Sequence, residues 1–563
     1  MKTLLSVTVG LAVGLLSVRA ATPIAAPPKL AVTIVVDQLR ADYLVRFRPY
    51  FGEGGFKRLL EGGADFQNTH YRHSVTQTAP GHASIATGVY ANIHGVVSNE
   101  WLDRDLWEQV SNCEDRDSLL VGVDAAEAGP ALLAAKAGRS PRNLQAPTLS
   151  DQIKLRYGPN SKVFTASNKD RSAIHLGGKL ADGAYWDEGG SFITSTYSRK
   201  ELPAWVAAFN AEKRVQKSFG KTWDRLLAPA IYDAVQGPDD AAGETVAFGF
   251  TRTFPKVVNG GADKITNAFY TAFDNTPFMS EILGQFVERA LVEEKLGQHP
   301  ATDFLGVSFS QVDVVGHSYG PDSHEVMDSM LRLDRVLASL LKAIDRQVGL
   351  KNCVIVLTAD HGGAPMPEHV QAIRPAIPAG RIKSAEFDAA GKKVLDAEFG
   401  ALPENEYWFT RDGAGYHLRP SALAAKKLSA DAVGRVLKSV LLKQSPIAAV
   451  FTRAEILAEP AEGDSILAMV RRSYYAPRDR DVVYVLKPYF MEKPNFGTQH
   501  GTPYQFDTHV PQIWFGAGVT PGKHIESVGV DDIAPTFAGL LGIPAPPQAL
   551  LSDAPTRKVQ STR

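Results

Sequence analysis

Three short apolar runs recur at long intervals along the chain, and each closes on an aspartate. LAVTIVVD ends at Asp37, FLGVSFSQVD at Asp313 and NCVIVLTAD at Asp360. Runs of this length, rich in Val and Ile and lacking strict alternation, predict strands buried on both faces. Between the second and third, HEVMDSMLRLDRVLASLLKAIDRQVG repeats apolar residues at three- and four-residue steps, the period of an amphipathic helix. Strands alternating with such helices predict an α/β fold, a mostly parallel central sheet flanked by helices on both faces. Ligands of such sheets collect at the carboxyl ends of strands, where these aspartates fall. A buried carboxylate is costly unless it is paired or bound to a cation, so three of them at core-strand ends call for one explanation.

Two stretches break the pattern. Residues from about 182 to 302 are rich in Gly, aromatics and polar residues. Residues from about 365 to 494 carry a βαβ-like pattern of their own, through YWFTRDGAGYHL, SADAVGRVLKSVLLK and IAAVFTRAEIL. Both read as accessory or lid elements inserted into one domain spanning 21–563. The first 20 residues join Lys2 to an apolar run from Leu4 to Val18 and then small residues, as a secretory signal peptide does, with a cut near Ala20. The run is short for a membrane span, so no stable span is expected after cleavage, and the mature chain is expected to be periplasmic or secreted.

Composition narrows the chemistry. A net charge of -1 over 563 residues gives no global bias toward nucleic acid or a membrane surface. With two cysteines, Cys113 and Cys353, neither a disulfide framework nor a thiolate zinc site is available. One bridge between them and a reduced, buried Cys353 both remain open. Any metal must therefore use oxygen and imidazole ligands. Just past the predicted core strands stand Asp37, Asp313 with His317, Asp360 with His361, and His500 in FGTQHGTPYQFDTHVP. Carboxylate and imidazole suit Zn²⁺, and three histidines favour it over Mn²⁺ or Mg²⁺. Six ligands exceed one tetrahedral ion. Two ions roughly 4 Å apart would use them all and could clamp both oxygens of an in-line displacement. An Asp-His pair alone is more often an ion pair or helix cap; it is the set that carries the reading.

TQTAPGHASIATG, residues 76–88, offers hydroxyls ahead of Pro80, which also suits an ordinary capped helix start. A threonine becomes a competent nucleophile only beside a base or metal. A hydroxyl on zinc would be acidified as zinc-bound water is, and a helix beginning at Ala79 would aim free N–H groups at a phosphoryl group.

Taken together, VVDQLRADY, TQTAPGHASIATGVYANIHGVVSNEW, SNKDRSAIHLGG, SQVDVVGHSYGPDS, LTADHGG, QHGTPYQFDTH, THVPQIWFG and DIAPTFAGLLGIPAP resemble the alkaline phosphatase superfamily, from about residue 30 to 545. The branch is the type I phosphodiesterases and nucleotide pyrophosphatases, and within it the threonine-using bacterial phosphate-irrepressible alkaline phosphatases. The resemblance implies two zinc ions. Asp313, His317 and His500 would hold one; Asp37, Asp360 and His361 would hold the other beside Thr78, which serves as both ligand and nucleophile. Thr76, Thr87 and His82 are expected to be structural, and His509 stays outside the metal set.

The substrate class turns on SNKDRSA. Lys169 and Arg171, two residues apart, would share one side of an extended segment. The resemblance implies that they contact phosphoryl oxygens together with Asn99, which favours the doubly charged phosphate monoester over a diester. The expected function is thus an exported zinc alkaline phosphatase that hydrolyses small-molecule phosphate monoesters through a phosphothreonine intermediate. A nucleotide pyrophosphatase or phosphodiesterase on the same bimetallic site is the alternative. A sulfatase is disfavoured because Thr78-Ala-Pro80-Gly-His82 lacks the convertible Cys or Ser and the arginine of that motif. The oligomeric state is open, with a monomer favoured.

Overall fold

A computed structural model describes residues 27–123, 138–460, 462–493 and 495–549, so the signal peptide read over 1–20 lies outside the described residues. The principal strands are β1 (Leu30–Val36), β2 (Ala64–His70), β3 (Val163–Ser167), β4 (Gly183–Glu188), β5 (Ser191–Ser195), β6 (Asp303–Phe309), β7 (Cys353–Thr358) and β8 (His509–Gly516). They lie in one sheet in the order β2, β8, β7, β1, β6, β3, β4, β5, with Gly522–His524 beyond β2 and Leu120–Val121 beyond β5. The five strands from β7 to β4 are parallel, and β8 and β5 run antiparallel to their neighbours. The parallel centre follows from sequence: β1, β6 and β7 are buried at every position, as strands covered on both faces must be.

Register makes the central strands flush. Val36 pairs with Phe309, and Val35 pairs with Thr358, so Asp37, Ser310 and Asp360 leave the sheet along one edge. The expected strand through Asp313 stops at Phe309. Beyond that residue no neighbouring strand remains to pair, and the chain closes its hydrogen bonds locally as a helix.

Five helices matter for the site: α1 (Thr78–Thr87), α2 (Asp170–Gly177), α3 (Phe278–Glu293), α4 (Gln311–Tyr319) and α5 (His324–Gln347). The last is the amphipathic helix predicted from its periodicity, and it packs on α3. Among the described residues no helix is long and apolar enough to cross a membrane. Cys113 and Cys353 are both free and buried, so the bridge left open above is not formed.

The two irregular stretches differ. The expected insertion over about 182–302 begins in the main sheet, as β4 and β5, and its end includes α3. Its aromatic residues, among them Trp205, Trp223, Tyr232 and Phe286, join the main hydrophobic core. Large rings bury enough area to seat a segment that shows no clean period, which is why the pattern misreads it as accessory. The stretch over about 365–494 does have a core of its own, around Trp408, Tyr416, Leu437 and Tyr484. Gly415–Leu418 and Ile447–Thr452 flank Val482–Leu486, which is antiparallel to both, and helices Pro420–Lys426 and Ala430–Leu441 make the crossover between them. That is a split form of the βαβ pattern read from the sequence.

Candidate active site

Asp37 follows β1 directly, and Asp360 and His361 follow β7; all three are fully buried. His361 Nε2 lies 3.3 Å from Asp37 Oδ1 and 3.6 Å from Asp360 Oδ2. Its Nδ1 donates to the Gly362 carbonyl at 2.8 Å, which leaves Nε2 turned toward the carboxylates. Burial lowers the pKa of His361, favouring the neutral ring. Burial also holds the Asp37 carboxyl well above the usual range, and the charges of Asp313 and Asp360 push the same way.

Asp313 and His317 sit one turn apart on α4, so both side chains share a face. His317 Nε2 is 3.2 Å from Asp313 Oδ1 and 3.2 Å from His500 Nε2, which itself lies 3.5 Å from Asp313 Oδ1. The other ring nitrogens donate to carbonyls: His317 Nδ1 to Thr498 at 2.9 Å and His500 Nδ1 to Thr76 at 2.8 Å. Two imidazoles held in this way turn their remaining ring nitrogens toward each other across a carboxylate oxygen, an arrangement that suits a shared cation. Burial keeps His500 well below its ordinary pKa. For Asp313, burial would raise the pKa, but His317 and Lys169 outweigh it and hold the carboxyl well below the usual range.

Does this donor set fit metal ions? Three buried ligand atoms, Asp37 Oδ1, Asp360 Oδ2 and His361 Nε2, have no hydrogen-bond partner. Converging, unsatisfied donors of this kind are costly unless a cation takes them. Ligand atoms of Asp313, His317 and His500 lie within 4.8 Å of one another, as do those of Asp37, Asp313 and His361. The first trio coincides with the expected group. In the second, Asp313 stands where Asp360 was expected, because Asp313 lies between the two groups. Asp360 adjoins that trio, with Oδ2 near both His361 and His82. Among the described residues, the composition of these groups fits oxygen- and imidazole-bound divalent metal.

Thr78 begins α1 and is 1% exposed. A Cβ at Gly81 would stand 2.2 Å from the Asp360 carbonyl oxygen, so the first turn of α1 presses directly on the strand end that carries Asp360. His82, expected to be structural, places Nδ1 2.8 Å from the Thr78 carbonyl and 3.3 Å from Asp360 Oδ2, and Nε2 2.8 Å from Ser308 Oγ. Thr76 and Thr87 make backbone-directed hydrogen bonds. His509 Nε2 donates to the Gln67 carbonyl at 2.9 Å, apart from both groups.

Asn99 Oδ1 accepts from Ala79 N–H at 2.9 Å, which sets it at the N-terminus of α1. Lys169 Nζ lies 2.6 Å from both Asp37 Oδ2 and Asp313 Oδ2, spanning the two groups. Lys169 is the last extended residue before α2, and Arg171 already lies in its first turn. The pair therefore does not share the face of an extended segment as its spacing suggested. Arg171 Nε is buried without a partner.

Two further residues were not singled out by sequence. Gln38 Nε2 donates to Asp313 Oδ1 at 2.7 Å, and its backbone N–H to Asp360 Oδ1 at 3.2 Å. Lys493 Nζ donates to the His317 carbonyl at 2.9 Å. Neither carries a spacing signal; only adjacency to Asp37 could have drawn attention to Gln38. A cavity of about 280 Å³ is lined by His500 together with Gln77, Thr502, Tyr484 and Tyr489.

The sequence matches the family model for type I phosphodiesterase / nucleotide pyrophosphatase over residues 31–501. It is 34% identical to the alkaline phosphatase PhoV of Synechococcus elongatus, over 92% of this chain and 91% of that one. It is also 34% identical to the alkaline phosphatase PafA of Elizabethkingia meningoseptica, over 93% of each. The crystal structure of wild-type PafA superposes with a TM-score of 0.87 at 32% identity, covering 96% of this chain and all of that one. The chain belongs to the type I phosphodiesterase / nucleotide pyrophosphatase family.

Proposed function

We infer that this protein is a zinc-dependent alkaline phosphatase that hydrolyses phosphate monoesters through a phosphothreonine on Thr78. One observation carries the reading: the start of α1 and the segment just ahead of it are held between the two ligand groups. The Thr76 carbonyl, ahead of the helix, orients His500, and Gly81, in the first turn, packs on Asp360. Whole-length relatives that are alkaline phosphatases support the same activity.

Two zinc ions, one at Asp313, His317 and His500 and one at Asp37, Asp360 and His361, would acidify the Thr78 hydroxyl and offset charge on the departing oxygen. The chain's own residues do the rest. Thr78 Oγ gives up its proton to solvent and attacks phosphorus, forming the Oγ–P bond as the bond to the leaving alkoxide or aryloxide breaks, and the departing oxygen takes a proton from solvent. The α1 N-terminus faces the phosphoryl oxygens with its positive end. Asn99 stands beside that terminus, and Arg171 offers a planar donor pair. Lys169, between the groups, contributes a compact positive charge near the transferred phosphoryl. Water then attacks the phosphothreonine, restores the Thr78 hydroxyl and releases inorganic phosphate. The leader read at 1–20 supports export to the periplasm or beyond, and monomeric function is the simplest reading of a site built wholly within one chain.

The decisive measurement compares kcat/KM for an aryl phosphate and its matching diester on the zinc-loaded protein. The wild type should prefer the monoester. Lys169→Ala with Arg171→Ala should cut monoester turnover on the order of 10²-fold or more while leaving the diester nearly unchanged. Equal losses for both substrates would return the site to the diester reading.

A further inference from the structure

We infer that Gln38 is a positioning residue that fixes the spacing between the two cation-ligand groups. The inference rests on the two-cation reading above. Gln38 is fully buried and ties one group to the other: its backbone N–H holds Asp360 Oδ1 and its amide Nε2 holds Asp313 Oδ1. The Asp313 oxygen it holds is the one facing His317 and His500. A donor fixed on a ligand carboxylate sets that carboxylate's direction, and loss of such a contact typically weakens metal affinity by roughly 10- to 100-fold.

Two independent features show that the surroundings are shaped around this side chain. Gln38 has φ of 62°, in the left-handed region that a residue with a Cβ enters only when its neighbours compel it. At this turn the backbone N–H and the side chain reach different groups. Two glycines also leave room for the amide. A Cβ at Gly316 would stand 2.0 Å from Gln38 Oε1, and one at Gly363 would stand 2.9 Å from Gln38 Cδ. Gly316 lies inside α4, between the two ligands Asp313 and His317, and its φ is not positive. Glycine in a helix interior is unfavourable on its own account, so this one needs a packing reason. The three nearest atoms to its absent Cβ all belong to Gln38.

The test measures zinc per chain and the rate at which a chelator strips it, with a Co²⁺-substituted sample reporting ligand geometry by its visible spectrum. Wild type should hold two ions; a wild type that binds none would overturn the cation reading and this inference with it. Gln38→Met keeps the volume and removes the donor, and should release zinc about tenfold faster or more, with altered Co²⁺ bands. Gly316→Ala, which leaves residue 38 intact but drives its amide aside, should do the same. Adding Gln38→Ala to Gly316→Ala should cost little more, because both changes remove one contact. Two tightly held ions in wild type with unchanged release and spectra in Gln38→Met and Gly316→Ala would overturn the inference while leaving the cation reading standing, as would strictly additive effects in the double variant.

Discussion

Asp37, Asp360 and His361 are fully buried and stand within three residues of the ends of two central strands, whereas Asp313, His317 and His500 come from a helix and a returning loop, with the His317 side chain 27% exposed. The parts that hold the second group are the irregular ones. Thr498, whose carbonyl orients His317, follows Gly497, which donates to the Gly243 carbonyl. Lys493, at the close of the separately cored module, grips the His317 carbonyl and, at 3.3 Å, that of Thr498. One group is thus set by sheet register, which moves only if the core moves. The other depends on contacts among surface-reaching segments, which open at lower cost. The difference suits the proposed chemistry: the nucleophile needs a rigid seat, and the departing group needs an exit.

The largest effect should come at the rigid group. Thr78→Ala is expected to lower monoester turnover on the order of 10⁴-fold or more, since it removes the attacking atom itself. Thr78→Ser should retain measurable turnover. A radiolabelled phosphate ester, quenched in acid, should leave an acid-stable label in wild type and none in Thr78→Ala. Because Asp37, Asp360 and His361 remain when the Thr78 hydroxyl is lost, zinc content should hold near two per chain; a loss of one ion would mean that the hydroxyl is needed to keep the buried group filled.

A smaller effect should separate the groups by rate. A chelator should remove zinc in two phases, the faster from the group that includes the partly exposed His317. Lys493→Met should speed that phase by roughly tenfold and leave the slower one untouched, as expected for loss of an outer contact that orients a ligand. A single phase, or equal acceleration of both, would dissolve the distinction drawn between the groups.

The same contrast governs what could be read from sequence. Asp37 and Asp360 were legible because buried parallel strands write unbroken apolar runs, and a carboxylate directly after one is conspicuous. Asp313 reads in sequence as the end of a strand but lies on a helix, since Val312 extends the run FLGVSFSQV and hides the start of α4. Lys169 and Arg171 were legible as a charged pair, yet the start of α2 between them broke the inference from even spacing. His500 was reached through resemblance and residue type, its position depending on a loop whose partners lie far off in sequence. Gln38 and Lys493 were missed because a single amide or ammonium on a backbone carbonyl or carboxylate has no periodic signature. The stretch at 182–302 reads as an accessory element in sequence because its aromatics seat in the core without regular spacing.

The smallest effect tests how firmly the separately cored module is docked. Asp412, 7% exposed, accepts from Leu102 N–H at 3.3 Å and lies 3.1 Å from His417 Nε2 and 3.8 Å from Arg480 Nε. It thus joins the module to the segment that follows Asn99. Burial alone would raise its pKa, but Arg480 and His417 outweigh burial and hold it at about 2, below its ordinary 3.8. A carboxyl depressed in the folded state contributes stability that is fully present above its unfolded pKa and is lost as pH falls through the folded one. The contribution here is about 2 kcal/mol, complete above about pH 4 and gone near pH 2. Asp412→Asn should therefore lower protection of the Val482–Leu486 amides against hydrogen exchange at pH 6, and the gap between variant and wild type should narrow as the sample is acidified below about pH 4. Because the module carries Lys493, the same variant at pH 6 should also hasten the fast zinc phase by a few-fold at most. If exchange in β1 and β7 changed as much as in Val482–Leu486, the module and the core would open as one unit, and the second ligand group would have no independent means of loosening.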